Sequence, residues 1–229
     1  VSLTFSGQAI SGTDFQNVTT LVIPANQTVG SIELEAIDDN IYEGNETIVV
    51  DISAVDGGIE SGTQQQSIFL QDNETQPTVT VATSTTSIDE KTGAATLTAT
   101  ASGAADENIV VTLSGSGTAT AGTDYTLPTI TIAAGSLTGT ATFTPVDDTF
   151  YETSQAGVAE IATLEIASVT IGAENGSQSV SISITERALN SGTQLSYNLI
   201  NAEFRRASTE FSNFNASTAT SVQNPLERI

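Results

Sequence analysis

The sequence predicts an all-β chain built from two tandem sandwich units, and three observations predict it. The chain is rich in Thr, Ser, Ala, Val, Ile and Gly and poor in Lys, Arg and Leu, which favours pleated sheet over helix. Short segments alternate apolar with polar side chains and are broken by Gly, Asn and Ser at the roughly 8–12-residue spacing of a sandwich. The third observation is that the chain repeats itself. A repeat at this period is one folding unit copied.

The duplication can be followed in register. Val1 to Phe15 aligns with Val111 to Tyr125 at an offset of 110, matching Gly7, Gly12, Thr13 and Asp14 to Gly117, Gly122, Thr123 and Asp124. One residue is then lost, and Thr20 to Asp39 runs against Thr129 to Asp148 at an offset of 109. Tyr42-Glu43 falls on Tyr151-Glu152. Five residues are inserted after that, so Glu46 pairs with Glu160 and Asp51 with Glu165 at an offset of 114. The match holds to Ile68 and Leu70 against Ile182 and Ile184.

Within each copy the strands follow from period-2 alternation. Ser31 to Ile37 is expected as a strand, with Ile32, Leu34 and Ile37 in the core and Glu33 and Glu35 solvated. Ile48 to Ile52 follows it. In the second copy Thr129 to Ile132 and Thr140 to Phe143 alternate in the same way around a Gly135-Ser136 turn. The copies differ in length: about 34 residues, two strands' worth, precede the repeat in the second and have no counterpart in the first. Such a unit would keep an open core and an unpaired edge, so residues before Val1 or another chain should supply the cover. The expected organisation is a partial sandwich over 1–75, a complete one over 76–187 and a tail over 188–229.

Charge narrows the chemistry. Lys plus Arg total 5 against 27 acidic residues, for a net charge of −22, and Cys, His, Met and Trp are absent. Sites that draw on Cys or His are therefore excluded, as are Ser-His-Asp and Cys-His catalysis. Five cations do not suit nucleic-acid backbones. No run of 18 apolar residues and no charged-then-apolar leader is present, so neither membrane insertion nor a signal peptide is expected. What remains is oxygen chemistry. The acids gather at Asp14, at Asp38 to Glu46 and at Asp72 to Glu74, in loops that a sandwich would bring to one end. Crowded carboxylates repel unless a cation lies among them, and Ca²⁺ suits mixed carboxylate and carbonyl oxygens in flexible loops.

The combination of G-T-D-[FY], an apolar strand, D-D-x-x-Y-E and a closing acidic turn resembles the Calx-β domain of sodium–calcium exchangers and large bacterial surface proteins. The resemblance covers nearly all of residues 1–187. It implies a seven-stranded immunoglobulin-like sandwich that binds calcium at one end in its sensor members. Carried across, it places calcium ligands at Asp14, Asp38, Asp39, Glu43 and Glu46, with Ile41 as a carbonyl donor and Asp72 and Glu74 at the closing turn. In the second unit the matching set is Glu90, Asp124, Asp147, Asp148 and Glu152, with Phe150 as the carbonyl position. That set departs from the family pattern. The insertion displaces Glu160, and Arg187 occupies the closing turn, so weaker or fewer ions are expected there.

The resemblance and the charge together imply a calcium-binding structural or adhesive module of a large extracellular surface protein, stalk or filament. A calcium sensor that regulates an attached domain is the alternative. A glycosidase using paired carboxylates fits poorly, because aromatics are only 5% of the chain and sugar platforms need them. The short junction from Asp72 to Pro77 lies beside acidic residues, so an ion there would stiffen the angle between neighbouring repeats. In the tail, Thr193 to Leu199 alternates like a strand, whereas Ile200, Phe204, Ala207, Phe211 and Phe214 have helical spacing around Arg205-Arg206. The tail reads as a linker, as the start of a further module, or as an intermolecular strand that completes the open unit of a second copy in a homo-oligomer or filament. Asn-x-Ser/Thr triplets at Asn17, Asn26, Asn45, Asn73, Asn175 and Asn215 read as coincidence in so Asn-, Ser- and Thr-rich a chain, or at most as surface turns.

Overall fold

The computed structural model describes residues 1–147 and 159–185, together with Glu203, Arg206 and Ala207. The described residues are almost entirely β. The first unit contains β1 (Ser2–Gly7), β2 (Ile41–Tyr42), β3 (Glu46–Ala54) and β4 (Gln65–Leu70). Strands β1, β3 and β4 form one antiparallel sheet in the order β1-β3-β4.

The second unit continues with β5 (Thr78–Thr83), β6 (Ser87–Asp89), β7 (Ala95–Ala101), β8 (Ala104–Ala105) and β9 (Ile109–Gly117). After these come β10 (Tyr125–Thr126), β11 (Ile130–Ile132), β12 (Thr138–Pro145), β13 (Glu160–Val169), β14 (Ala173–Glu174) and β15 (Ser179–Thr185). They build two five-stranded sheets, β10-β12-β7-β5-β14 and β11-β9-β13-β15-β6. The fold class is therefore the expected one, an all-β tandem of sandwich-type units.

The duplication extends to strand register. Gly7 lies opposite Ile48 in the first unit and Gly117 opposite Ala162 in the second, at the offsets read from the sequence. Ile48 faces Ile68 as Ala162 faces Ile182. Both glycines end their strands at positive φ, 118° and 112°. A Cβ there would lie 2.0 Å from the Thr47 carbonyl oxygen or 2.1 Å from that of Ile161. Only glycine fits a chain that turns this tightly against its neighbour.

The two cores differ. In the second unit Leu97, Ile109, Ile130, Ile132, Leu164 and Ile182 are fully buried between the sheets. Tyr125 and Phe143 pack with ring centroids 5.0 Å apart, and Gly115 leaves the space that the Tyr125 hydroxyl fills. In the first unit Phe5 takes the Gly115 position and packs against Phe15, the Tyr125 equivalent, with the ring centroids 5.2 Å apart and the rings tilted by 56°. The buried core there is only Ala9, Phe15 and Ile48, with Phe5, Leu34, Val50 and Leu70 packed against it.

The expected strand over Ser31 to Ile37 is not formed. In the second unit the equivalent β12 pairs along its length with β7. No strand among the described residues takes that place beside residues 29–36, and a strand without a partner has no ladder to hold it. Ile32 is 37% exposed and Ile37 42% exposed, so neither belongs to the core; Leu34 is half-buried. Glu33 and Glu35 are solvated as expected.

The units touch through a parallel ladder of two residue pairs, Ile41 with Ala104 and Tyr42 with Ala105. The Asp106 N–H extends it by donating to the Tyr42 carbonyl at 3.2 Å. No helix among the described residues is long and apolar enough to cross a membrane.

Candidate metal centre

Asp14 is fixed by a turn that the duplication repeats at Asp124. Its N–H donates to the Ile10 carbonyl and its carboxylate accepts the Ile10 N–H, while the Asp124 turn uses Thr120 in both roles. The Ile37 N–H donates to the Asp14 carbonyl at 2.9 Å, and the Val146 N–H to that of Asp124 at 2.9 Å. Asp14 is only 5% exposed and Asp124 only 8%. The G-T-D sequence thus buries a carboxylate at one pole of each unit by local hydrogen bonding.

Asp72 organises the loops facing Asp14. Its Oδ2 accepts the N–H groups of Glu43 at 2.9 Å and Gly44 at 2.6 Å, and its Oδ1 accepts that of Glu74 at 2.9 Å. Burial favours the neutral acid, but these three donors outweigh it and hold the Asp72 carboxyl below its usual range. Glu74 is shifted the opposite way, mainly by its hydrogen bond to Asp72 and then by burial and the charges of Asp72 and Asp38. The Asp72 N–H in turn donates to Asn45 Oδ1 at 3.1 Å.

This scaffold brings Asp14, Glu43 and Glu46 together, with one carboxylate oxygen of each within 4.8 Å of the others. They line a cavity of about 70 Å³ that Asp38, Asp39, Asp72 and Glu74 also border. Glu43 is pushed up to about 7, first by burial and then by the charges of Asp14, Asp39, Glu46 and Asp106. Glu46 is raised by burial, by the charge of Asp14 and by a hydrogen bond shared with it, and by Asp106 and Asp72. Glu46 Oε2 is buried and meets no hydrogen-bond donor among the described residues. A buried oxygen with nothing to accept from, ringed by like charge, fits a hard cation.

The remaining expected ligands are less converged. Asp38 is exposed and accepts the Asn73 side-chain amide at 2.9 Å. Asp39 is exposed, and its Oδ1 accepts the Ile41 N–H at 2.7 Å, which positions Ile41 in β2. Asp106 was not among the sequence-based candidates. It belongs to the second unit and reaches the site only because β8 docks on β2, so no local pattern marks it. Asn45 and Asn73 prove to be loop organisers, a role their triplets did not suggest.

In the second unit Glu90 is 6% exposed, and its N–H donates to the Thr185 carbonyl at 3.0 Å. Asp147 is exposed. Asp148, Phe150 and Glu152 lie outside the described residues. Among the described residues no trio like that of the first unit gathers in the second.

A family model described as the Calx-beta domain matches residues 1–70 and 72–183. Among solved structures, the crystal structure of the apo-form Calx CBD1 domain is 14% identical with a TM-score of 0.36, covering 48% of this chain and 99% of that one. The crystal structure of CBD12 from CALX1.2 is 15% identical with a TM-score of 0.34, covering 81% of this chain and 87% of that one. No curated protein matches.

Proposed function

Because the chain belongs to the Calx-beta family, we propose that it is a calcium-binding tandem module whose first unit holds Ca²⁺ through Asp14, Glu43 and Glu46. The observation that carries this reading is the buried, donor-free Glu46 Oε2 beside two further carboxylates within 4.8 Å. Oxygens bound to one Ca²⁺ at about 2.3–2.6 Å lie at most about 5 Å apart, so one ion can serve all three. The ion would supply positive charge where burial and mutual repulsion now favour protons. Asp38, Asp39, Asp72, Glu74 and the Ile41 carbonyl are the supporting oxygens. The second unit, with Glu90, Asp124, Asp147, Asp148, Glu152 and the Phe150 carbonyl, would bind more weakly.

The site lies beside the β2–β8 ladder, and Asp106 brings charge from the second unit to the first unit's acids. Calcium would cancel repulsion across this joint and stiffen it. The role that follows is structural or adhesive, in a stalk, fibre or filament outside the cell or on its surface. The same placement favours a second reading, a sensor in which the joint angle reports calcium to an attached domain. The family's modules are regulatory or structural rather than catalytic, and both readings keep to that.

Calorimetric titration of calcium into the whole chain tests the site, with Asp39→Ala and Asp148→Ala resolving the two units. Absence of binding heat at millimolar calcium would overturn the proposal. Affinity separates the readings: about 10⁻⁴–10⁻³ M suits an extracellular structural module and about 10⁻⁷–10⁻⁵ M a sensor. An interunit angle that chelator leaves unchanged in X-ray scattering would remove the stiffening role from both.

A further inference from the structure

The acids around the first unit's site are unequally free to meet an ion. Asp72 is committed to the loop, its two oxygens accepting three N–H groups, and Glu74 shares a hydrogen bond with it. Asp38 accepts the Asn73 amide and Asp39 the Ile41 N–H. Each can offer an ion only what those bonds leave over. Ca²⁺ takes about six to eight oxygens, and Asp14, Glu43 and Glu46 bring three carboxylates. The shell has room for a further carboxylate that is not already engaged.

The second unit presents one. In the parallel ladder Ile41 pairs with Ala104 and Tyr42 with Ala105. The Asp106 N–H then donates to the Tyr42 carbonyl at 3.2 Å, which brings Asp106 level with Glu43. Asp106 is exposed, and no N–H or O–H of the described residues donates to its carboxylate. Its charge nevertheless reaches the site, where it raises the pKa of both Glu43 and Glu46. It stands outside the close trio, as a fourth negative charge should while no cation holds the other three together.

We propose that Asp106 is a ligand that the second unit lends to the first unit's calcium, so that one ion is held between the two modules. This rests on the calcium reading above and adds a partner to it. Without the ion, Asp106 and the trio repel each other across a ladder of two residue pairs. With the ion in place the same carboxylate is attracted, and turning it inward closes the shell and presses β8 onto β2. Linkage makes the effect reciprocal: the factor by which docking tightens calcium is the factor by which calcium tightens docking. Mg²⁺ keeps several of its waters and takes only one or two carboxylates, so it has no use for Asp106. The second unit thereby favours the larger cation at a site built by the first.

The test compares the full chain with Asp106→Asn and with Glu107→Gln, which removes an equal charge from the exposed neighbouring position. Hydrogen exchange at the Glu43 and Gly44 amides, followed through a calcium titration, reads the first unit's affinity, and the amide at position 106 reads the ladder. Asp106→Asn should weaken calcium at least about tenfold. Glu107→Gln should weaken it less than about twofold, as a screened surface charge does. Magnesium affinity should be the same in all three chains. In chelator the amide at 106 should exchange more slowly in Asp106→Asn than in the parent chain, because a repulsion is gone; in saturating calcium that order should reverse. Calcium affinity unchanged by Asp106→Asn overturns the proposal, and so does an equal loss in Glu107→Gln or for magnesium. Faster exchange at 106 in chelator also overturns it, because the side chain would then hold the joint without any ion. A parent chain in which calcium never protects Glu43 and Gly44 overturns the calcium reading itself, whereas protection that Asp106→Asn leaves intact overturns this inference alone.

Discussion

Raising the pH from 5 to 8 in chelator should loosen the first unit, and calcium should reverse that trend. Glu43 titrates near 4.5 when unperturbed and at about 7 in the fold. Its folded value is raised, so the associated stability is fully present below about 4.5 and drains away as pH rises to about 7. At about 1.36 kcal/mol for each tenfold change, the ceiling is about 3 kcal/mol. Glu43 keeps partial access to solvent, and screening reduces this to about 1 kcal/mol. In a unit of this size that corresponds to about 4–8 °C in Tm. Glu46 moves in the same direction. The Asp72 carboxyl is held low, so its contribution is present above its ordinary value of 3.8 and lost only in stronger acid, outside this window. With calcium bound, ionised Glu43 becomes the favoured form. Apparent affinity should therefore fall up to about tenfold for each pH unit below 7 as one proton competes with the ion. Scanning calorimetry of the whole chain measures this, with hydrogen exchange of β3 amides assigning the transition to the first unit. A first-unit Tm that is flat or rising from pH 5 to 8 in chelator, or calcium affinity independent of pH, would refute the reasoning.

Glu46→Gln keeps the shape and removes the charge, so it should raise first-unit stability in chelator by about 0.5–1 kcal/mol while weakening calcium at least about tenfold; denaturation and calorimetry read the two effects. Asp72→Ala strands the N–H groups of Glu43, Gly44 and Glu74. It should lower first-unit stability by about 2 kcal/mol in urea unfolding, with or without calcium. Gly117→Ala places a Cβ 2.1 Å from the Ile161 carbonyl at positive φ. It should cost the second unit about 2 kcal/mol or more, against about 1 for Gly135→Ala, whose Cβ meets open space.

The parts of this fold that were legible in the sequence are those in which a residue's partner lies in its own unit. Offsets of 110 and 114 between copies reappear as the shared registers of β1 with β3 and β9 with β13. Alternation located β3, β11 and β12 for the same reason. It failed at Ser31 to Ile37, because period-2 patterning says which face a strand would bury and not whether a neighbour is present to make it one. The acidic pole was legible as clustered loops, and Asp14, Glu43 and Glu46 do meet. Asp106 was not legible, because its place at the site depends on two backbone pairs between units and on no spacing within either. The exchange of Phe5 for Gly115 was also hidden: each is intelligible only beside Phe15 or Tyr125.

The joint between the units is two residue pairs long, whereas β1–β3 and β3–β4 each carry six. Under a pull along the chain, two residue pairs yield before six, so the first place to open is the contact between the units and not the sheet of either one.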